Sequence, residues 1–202
     1  MQDAMPAWRT PPNLLTYSRM ALTPVIALVV LRGDAKAALS LVALAAFTDG
    51  IDGFLARRFG WETALGAYLD PIADKLLLVT LYVVFAGGDI LPVWLVSLVI
   101  LRDLWILSMV AYAWFATTVR DFPPRWSGKA STAVQLLLAG TVLIHNAFPG
   151  HIAPAIVAVL VFLVTCLAGI SGVDYTIVAI RRYTAWRARQ VPGAIHPQSG
   201  QS

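Results

Sequence analysis

The sequence predicts an all-α integral membrane protein, a six-helix bundle preceded by a short interfacial helix. Three observations carry this. Hydrophobic residues make up 58% of the 202 positions and charged residues only 13%, whereas soluble domains run at roughly 45–50% and about 25%. Mean hydropathy is +0.72. The apolar positions fall into long blocks separated by turn residues, enough for six spans of about 20 residues each. This composition excludes a disordered chain, a disulfide scaffold and an ordinary cytosolic enzyme. The basic balance, +4 at neutral pH, then points to anionic lipid headgroups and not to nucleic acid.

Residues 1–12, with Trp8 and Arg9, are expected to lie along the interface, followed by a membrane domain over 13–183 and a polar tail over 184–202. The spans are expected at 14–31, 35–56, 65–86, 91–119, 130–145 and 152–180. Turn chemistry marks three of the connections: Arg32-Gly33-Asp34, Gly87-Gly88-Asp89 and Asn146 to Gly150. The fourth and sixth spans exceed the bilayer and must tilt or project. Cys166 lies inside an apolar run and is read as a small hydrophobe.

Even-numbered helices end on the side of the N-terminus. That side carries Arg9, Arg57, Arg58, Arg120, Arg125, Lys129, Arg181, Arg182, Arg187 and Arg189, against Arg32 and Lys36 opposite. The positive-inside rule places both termini in the cytoplasm. A cleaved signal ending near Ala35-Lys36-Ala37 is the competing reading. It would leave five spans and export the arginine-rich C-terminus. His145 and His151 flank the far turn and read as interfacial residues.

Acidic residues are scarce, ten Asp and Glu62, yet four Asp fall within 26 positions: Asp49, Asp52, Asp70 and Asp74. A carboxylate at the bilayer centre costs roughly 2.5–3.5 kcal/mol, less near the interface. Asp49 and Asp52 are i,i+3, about 60° apart around a helix; Asp70 and Asp74 are i,i+4, about 40° apart. Each pair sits on one face near the cytoplasmic end of its helix, and the helices are antiparallel neighbours, so the pairs can meet. Four converging carboxylates repel unless a cation joins them, and all-oxygen ligation suits one or two Mg²⁺ or Mn²⁺ ions. Gly53, Ala56 and Gly66 lie about a turn from these carboxylates, so a phosphate can approach the backbone closely. Arg57 offers a fork for phosphate oxygens. Such a clamp suits phosphoryl chemistry, with one carboxylate free to act as base. Solvated helix ends or ion pairs with Arg57, Arg58 and Lys75 are the plainer alternative for any single Asp.

The whole stretch, Asp49-x2-Asp52-Gly53-x2-Ala56-Arg57-x8-Gly66-x3-Asp70-x3-Asp74, resembles the signature of the CDP-alcohol phosphotransferases at all eight fixed positions and in spacer length. The resemblance implies a six-helix membrane enzyme, usually a homodimer, using Mg²⁺ or Mn²⁺ to displace CMP from a CDP-linked substrate by an alcohol hydroxyl. It implies that Asp49, Asp52, Asp70 and Asp74 bind the metals and that Asp74 is the general base. Positions matching Gly53, Arg57 and Thr63 would contact the nucleotide or pyrophosphate. Asn13-Leu-Leu-Thr16 is similar to the family's first-helix element at the same site, with Arg19 one turn on.

Asp89 to Val93, Leu101-Arg102-Asp103 and Ser127 to Gln135 look like the CMP-forming cardiolipin synthases of mitochondria and bacteria. That likeness implies CDP-diacylglycerol and phosphatidylglycerol as substrates. The phosphatidylglycerophosphate synthases are close neighbours but usually carry Arg-Glu at Arg102-Asp103, and glycerol-3-phosphate is their acceptor. Both acceptors are anionic, and Arg19, Arg102, Arg120, Arg125 and Lys129 are the candidate cations; for Arg120 and Arg125 the positive-inside rule is an equal explanation. Lys129 opens a helix, where a cation opposes the macrodipole, so a ligand or partner is expected beside it. Arg102 and Asp103 sit deeper in a span, and a structural salt bridge explains them equally well.

A divalent-cation transporter would also pair Asp residues in helices. It would need polar groups along the whole path, and the outer halves of spans two and three are almost wholly apolar. No long Arg-rich transit segment precedes the spans, which favours a bacterial plasma membrane; an imported protein with its presequence removed would look the same.

Overall fold

In a computed structural model the described residues are 11–59, 64–116 and 125–190. They form six helices: α1 Pro11–Leu31, α2 Ala35–Phe59, α3 Ala64–Gly87, α4 Val93–Ala116, α5 Trp126–Ala147 and α6 Pro154–Gln190. Among the described residues there is no strand. The expected turns are present. Gly33, at φ +77°, takes the left-handed conformation that ends α1, and the Asp34 carboxylate accepts the Ala37 N–H at 3.0 Å to cap α2. Gly150, at φ +87°, makes the far turn before α6.

Four of the differences between helix ends and apolar blocks have a plain physical reason or fall at the limits of the described residues. Helix α1 starts at Pro11 because proline, lacking an N–H, is tolerated in a first turn; residues 1–10, where the interfacial segment was expected, lie outside the described residues. Helix α6 begins at Pro154, two residues later than expected, on the same principle. Helix α5 begins four residues ahead of its apolar block, fixed by tertiary hydrogen bonds described below. Helix α6 runs ten residues beyond 180, through the start of the expected polar tail, because its Arg, Ala, Trp and Gln residues all accept helix.

By length and apolarity α4, α5 and α6 can each cross a membrane, and Thr16–Leu31 is a shorter apolar helix. Helices α2 and α3 have comparable lengths, 25 and 24 residues, but carry the carboxylates and their basic neighbours. Apart from Lys36 in the first turn of α2, the charges gather at one end of each, so most of the rest of both helices is apolar.

Helix α1 packs on α3 and α2, α6 packs on α5 and α4, and α2 meets α5 to join the two halves. At the centre Tyr82, Phe85, Ile26, Leu95 and Leu138 are fully buried. The Tyr82 hydroxyl donates to the Gln135 carbonyl at 3.1 Å, so this phenol costs no unsatisfied polar group. Large apolar side chains also cover the outside, as at Phe115, 88% exposed. In lipid those contacts carry no hydrophobic penalty, and close packing with interhelical hydrogen bonds holds the helices together.

Candidate active site

One end of α1 bears a polar stripe at i, i+3 and i+7: Thr16, Arg19 and Thr23, each at most 5% exposed. Thr23 donates its hydroxyl to the Arg19 carbonyl at 2.9 Å and stays within its own helix. The other two reach across. The Thr16 hydroxyl donates to the Asp70 carboxylate of α3. The Arg19 guanidinium pairs with Asp49 of α2 and with Asp74 of α3. A single buried cation thus joins carboxylates from the two helices that the sequence predicted would meet. The Asp49 and Asp74 side chains are 45% and 62% exposed, so the carboxylates open outward while the arginine closes the floor. Gly66 is buried on α3.

Arg19, Asp49 and Asp74 stand in the wall of a cavity of about 710 Å³ between α2, α3 and α5. Its remaining lining is chiefly apolar, including Val42, Leu78 and Leu143, with Lys75 beside Asp74. Thr132 and Leu136 of α5 also line a second cavity of about 480 Å³, which Arg102, Arg125 and Lys129 make cationic, although both arginines are also ion-paired.

Helix α6 anchors this second cavity. Asp174 accepts from Arg125 Nε at 2.5 Å and from the Ser127 hydroxyl at 2.6 Å. The Tyr175 hydroxyl accepts the Arg125 backbone N–H at 3.3 Å. Arg125, the N-cap of α5, makes no side-chain cap of its own, so α6 supplies the order at this helix start. Gly128 lets α5 and α6 meet closely here: a Cβ would lie 2.9 Å from the Tyr175 hydroxyl oxygen. Lys129 lies in the first turn, as expected, with its Nζ 5.7 Å from the centre of the Trp126 ring, a cation–π contact that offsets the macrodipole.

Arg102 and Asp103 do pair. Arg102 Nη1 donates to Asp103 at 2.8 Å, its other amino group donates to Ser171 of α6, and Lys75 of α3 ion-pairs with Asp103. This chain connects the residue following Asp74 to α4 and α6.

The side chains of Asn13, Asp52, Gly53, Ala56 and Arg57, and all of Thr63 and Arg120, lie outside the described residues. Among the described residues no three acidic, imidazole or thiol groups gather as a metal-ligand set. The donor chemistry fits a hard divalent ion: the groups are carboxylates, and two of them already converge on one cation, Arg19. Sequence reasoning found the carboxylates but missed that Arg19 is their counter-charge. Its signal was the stripe of three polar residues on one face of an apolar helix.

Among the described residues, then, a membrane helical bundle gathers acidic residues from two helices on one buried arginine, beside a cavity lined by basic side chains. The family described as CDP-alcohol phosphatidyltransferase matches residues 9–185, and the chain belongs to this family; its relatives are named as phospholipid synthases. It is 36% identical over 155 residues to a rat protein named cardiolipin synthase (CMP-forming), covering 69% of this chain and 51% of that one. A human protein of the same name gives 36% over 155 residues, 69% of this chain and 52% of the relative. A probable phosphatidylglycerophosphate synthase of Mycobacterium tuberculosis is 33% identical over 175 residues, 84% of this chain and 81% of that one. The chain spans about half the length of the rat and human relatives.

Proposed function

We propose that the protein transfers the phosphatidyl group of CDP-diacylglycerol to the free glycerol hydroxyl of phosphatidylglycerol, giving cardiolipin and CMP. The observation that carries this reading is the adjacency of the two cavities across Thr132 and Leu136, one with carboxylates and apolar walls, the other cationic. The first suits an activated lipid. The second suits an acceptor that brings its own phosphate.

In this reading Asp74 takes the proton of the acceptor hydroxyl. The oxygen forms a bond to the phosphorus that bears diacylglycerol, and the bond from that phosphorus to the oxygen shared with the CMP phosphate breaks. CMP leaves with that oxygen. A divalent ion, or a pair of them, held by Asp49, Asp52, Asp70 and Asp74 would neutralise pyrophosphate charge as CMP departs. Arg57 and Thr63 bind the nucleotide's phosphates, Gly53, Ala56 and Gly66 leave room for them, and Asn13 and Thr16 border the same site. Arg19 orients Asp49 and Asp74. Arg102, Arg120, Arg125 and Lys129 receive the acceptor phosphate.

Glycerol-3-phosphate is the alternative acceptor, favoured by the near full-length match to the mycobacterial relative. Basic residues clustered on the side of both termini support a bacterial plasma-membrane protein with cytoplasmic termini. We further assign a homodimer, with residues 13–183 as the catalytic domain.

The test is acceptor competition. Purified protein in mixed micelles receives CDP-diacylglycerol, Mg²⁺ or Mn²⁺, and either acceptor, and lipid products are weighed by mass spectrometry. A four-chain product from phosphatidylglycerol is expected. Phosphatidylglycerophosphate alone would overturn the acceptor assignment and leave the chemistry.

A further inference from the structure

Beyond the cationic cavity, between α4 and α6, runs an apolar groove of about 560 Å³ lined by Leu98, Leu101 and Trp105 on one side and Gly169, Gly172 and Ile177 on the other. We propose that this groove receives an acyl chain of a phospholipid acceptor whose phosphodiester lies in the cationic cavity. The inference rests on the transferase reading above and specifies the acceptor as a lipid.

Three observations support it. Arg102 lines both the cationic cavity and the groove, so the two adjoin at one guanidinium. Its side chain is only 9% exposed, and although its amino groups bond Asp103 and Ser171, its Nε has no hydrogen-bond partner. A buried, cationic N–H without an acceptor is an incomplete site, and a phosphodiester oxygen completes it. The groove is open because nothing fills its floor: a Cβ at Gly169 would meet nothing within 4 Å, and one at Gly172 would meet only Arg102 Cγ at 3.9 Å. Apart from Arg102, the polar group on the groove's α4 wall is already satisfied, since Trp105 Nε1 donates to Thr176 at 3.0 Å. What remains fits hydrocarbon attached to an anion. A water-soluble acceptor uses the cation and leaves the groove idle. The chains of CDP-diacylglycerol have apolar walls of their own, in the first cavity.

The experiment uses the full chain in micelles with CDP-diacylglycerol and, separately, dioleoyl-phosphatidylglycerol, its deacylated headgroup glycerophosphoglycerol, or glycerol-3-phosphate. In Gly169→Leu, which fills the groove, the ratio of kcat/KM for the dioleoyl acceptor to that for the deacylated one falls at least 10-fold. An unchanged ratio in an enzyme that uses phosphatidylglycerol overturns the groove and leaves the cardiolipin reading standing. Wild-type product from glycerol-3-phosphate alone overturns both. Should Gly169→Leu not fold, wild-type protein decides: phosphatidylglycerol bearing a photoreactive diazirine in its acyl chain crosslinks to residues 98–105 of α4 or 168–177 of α6, and excess phosphatidylglycerol competes better than phosphatidylcholine. Crosslinks confined to other helices, as a groove covered by a second copy of the chain would give, reject the proposal.

Discussion

Asp174 of α6 accepts the Nε–H of Arg125 at 2.5 Å, and this pair holds the first turn of α5 against α6. Because Arg125 contributes to the cationic cavity, Asp174 reaches the acceptor only through another side chain. Asp174→Ala is expected to raise the acceptor KM about 5- to 20-fold, the loss of one charge-assisted hydrogen bond. The KM for CDP-diacylglycerol should stay within about twofold, and Asp174→Glu should recover most of the loss. Equal effects on both KM values would mean that the pair is merely structural.

Arg19 is buried and serves two carboxylates. Removing one partner of a buried pair costs about 3–5 kcal/mol. Here the carboxylates left behind are about half exposed and water takes up part of their charge, so Arg19→Ala should cost about 1–3 kcal/mol. Activity of the folded variant should also drop, by about 100-fold, as Asp49 and Asp74 lose their common anchor. Arg19→Lys restores charge without the two-pronged geometry and should sit between the two. Thermal unfolding in detergent and CMP release measure the two effects.

Asp74→Asn keeps the shape of the side chain and its contact with Arg19 but cannot take a proton. CMP release should drop by about 10²–10⁴-fold, while Mn²⁺ binding, followed by electron paramagnetic resonance, weakens without vanishing. Normal CMP release by this variant would remove Asp74 from the base role. Chelation should silence the wild type, and Mg²⁺ or Mn²⁺ should revive it.

Gly128→Ala places a methyl group 2.9 Å from the Tyr175 hydroxyl oxygen. The contact is with the far end of a ring that can shift, so the cost should be about 1 kcal/mol, read as a lower Tm. Adding Tyr175→Phe should recover part of it by removing that oxygen, less the bond from the Arg125 N–H.

Much of this fold was legible because each apolar block is bounded by Gly, Pro, Asn or Asp. Helix ends were less so. The start of α5 depends on Asp174 and Tyr175, 47 to 50 positions away, and the far end of α6 on helix propensity that hydropathy does not register. The carboxylate pairs were legible from helical spacing and from their cost in lipid. Arg19 was not, since its partners lie 30 and 55 residues along the chain and only packing of α1 on α2 and α3 unites them. Arg102 read equally as a structural pair or a ligand contact, and the structure shows how it can be both: two of its nitrogens are bonded within the protein, and Nε is not.

Helix α6 is 37 residues long, about 55 Å at 1.5 Å per residue, against a hydrocarbon layer of about 30 Å. Counted from Pro154, Asp174 stands about 30 Å along it, with Arg181 and Arg182 beyond. In a bilayer whose one face lies at Pro154 and whose normal runs along α6, the helix would work as a depth gauge. The Arg125 cation would then stand at the height of the opposite lipid phosphates, where the proposed phospholipid acceptor could slide in sideways within its own leaflet.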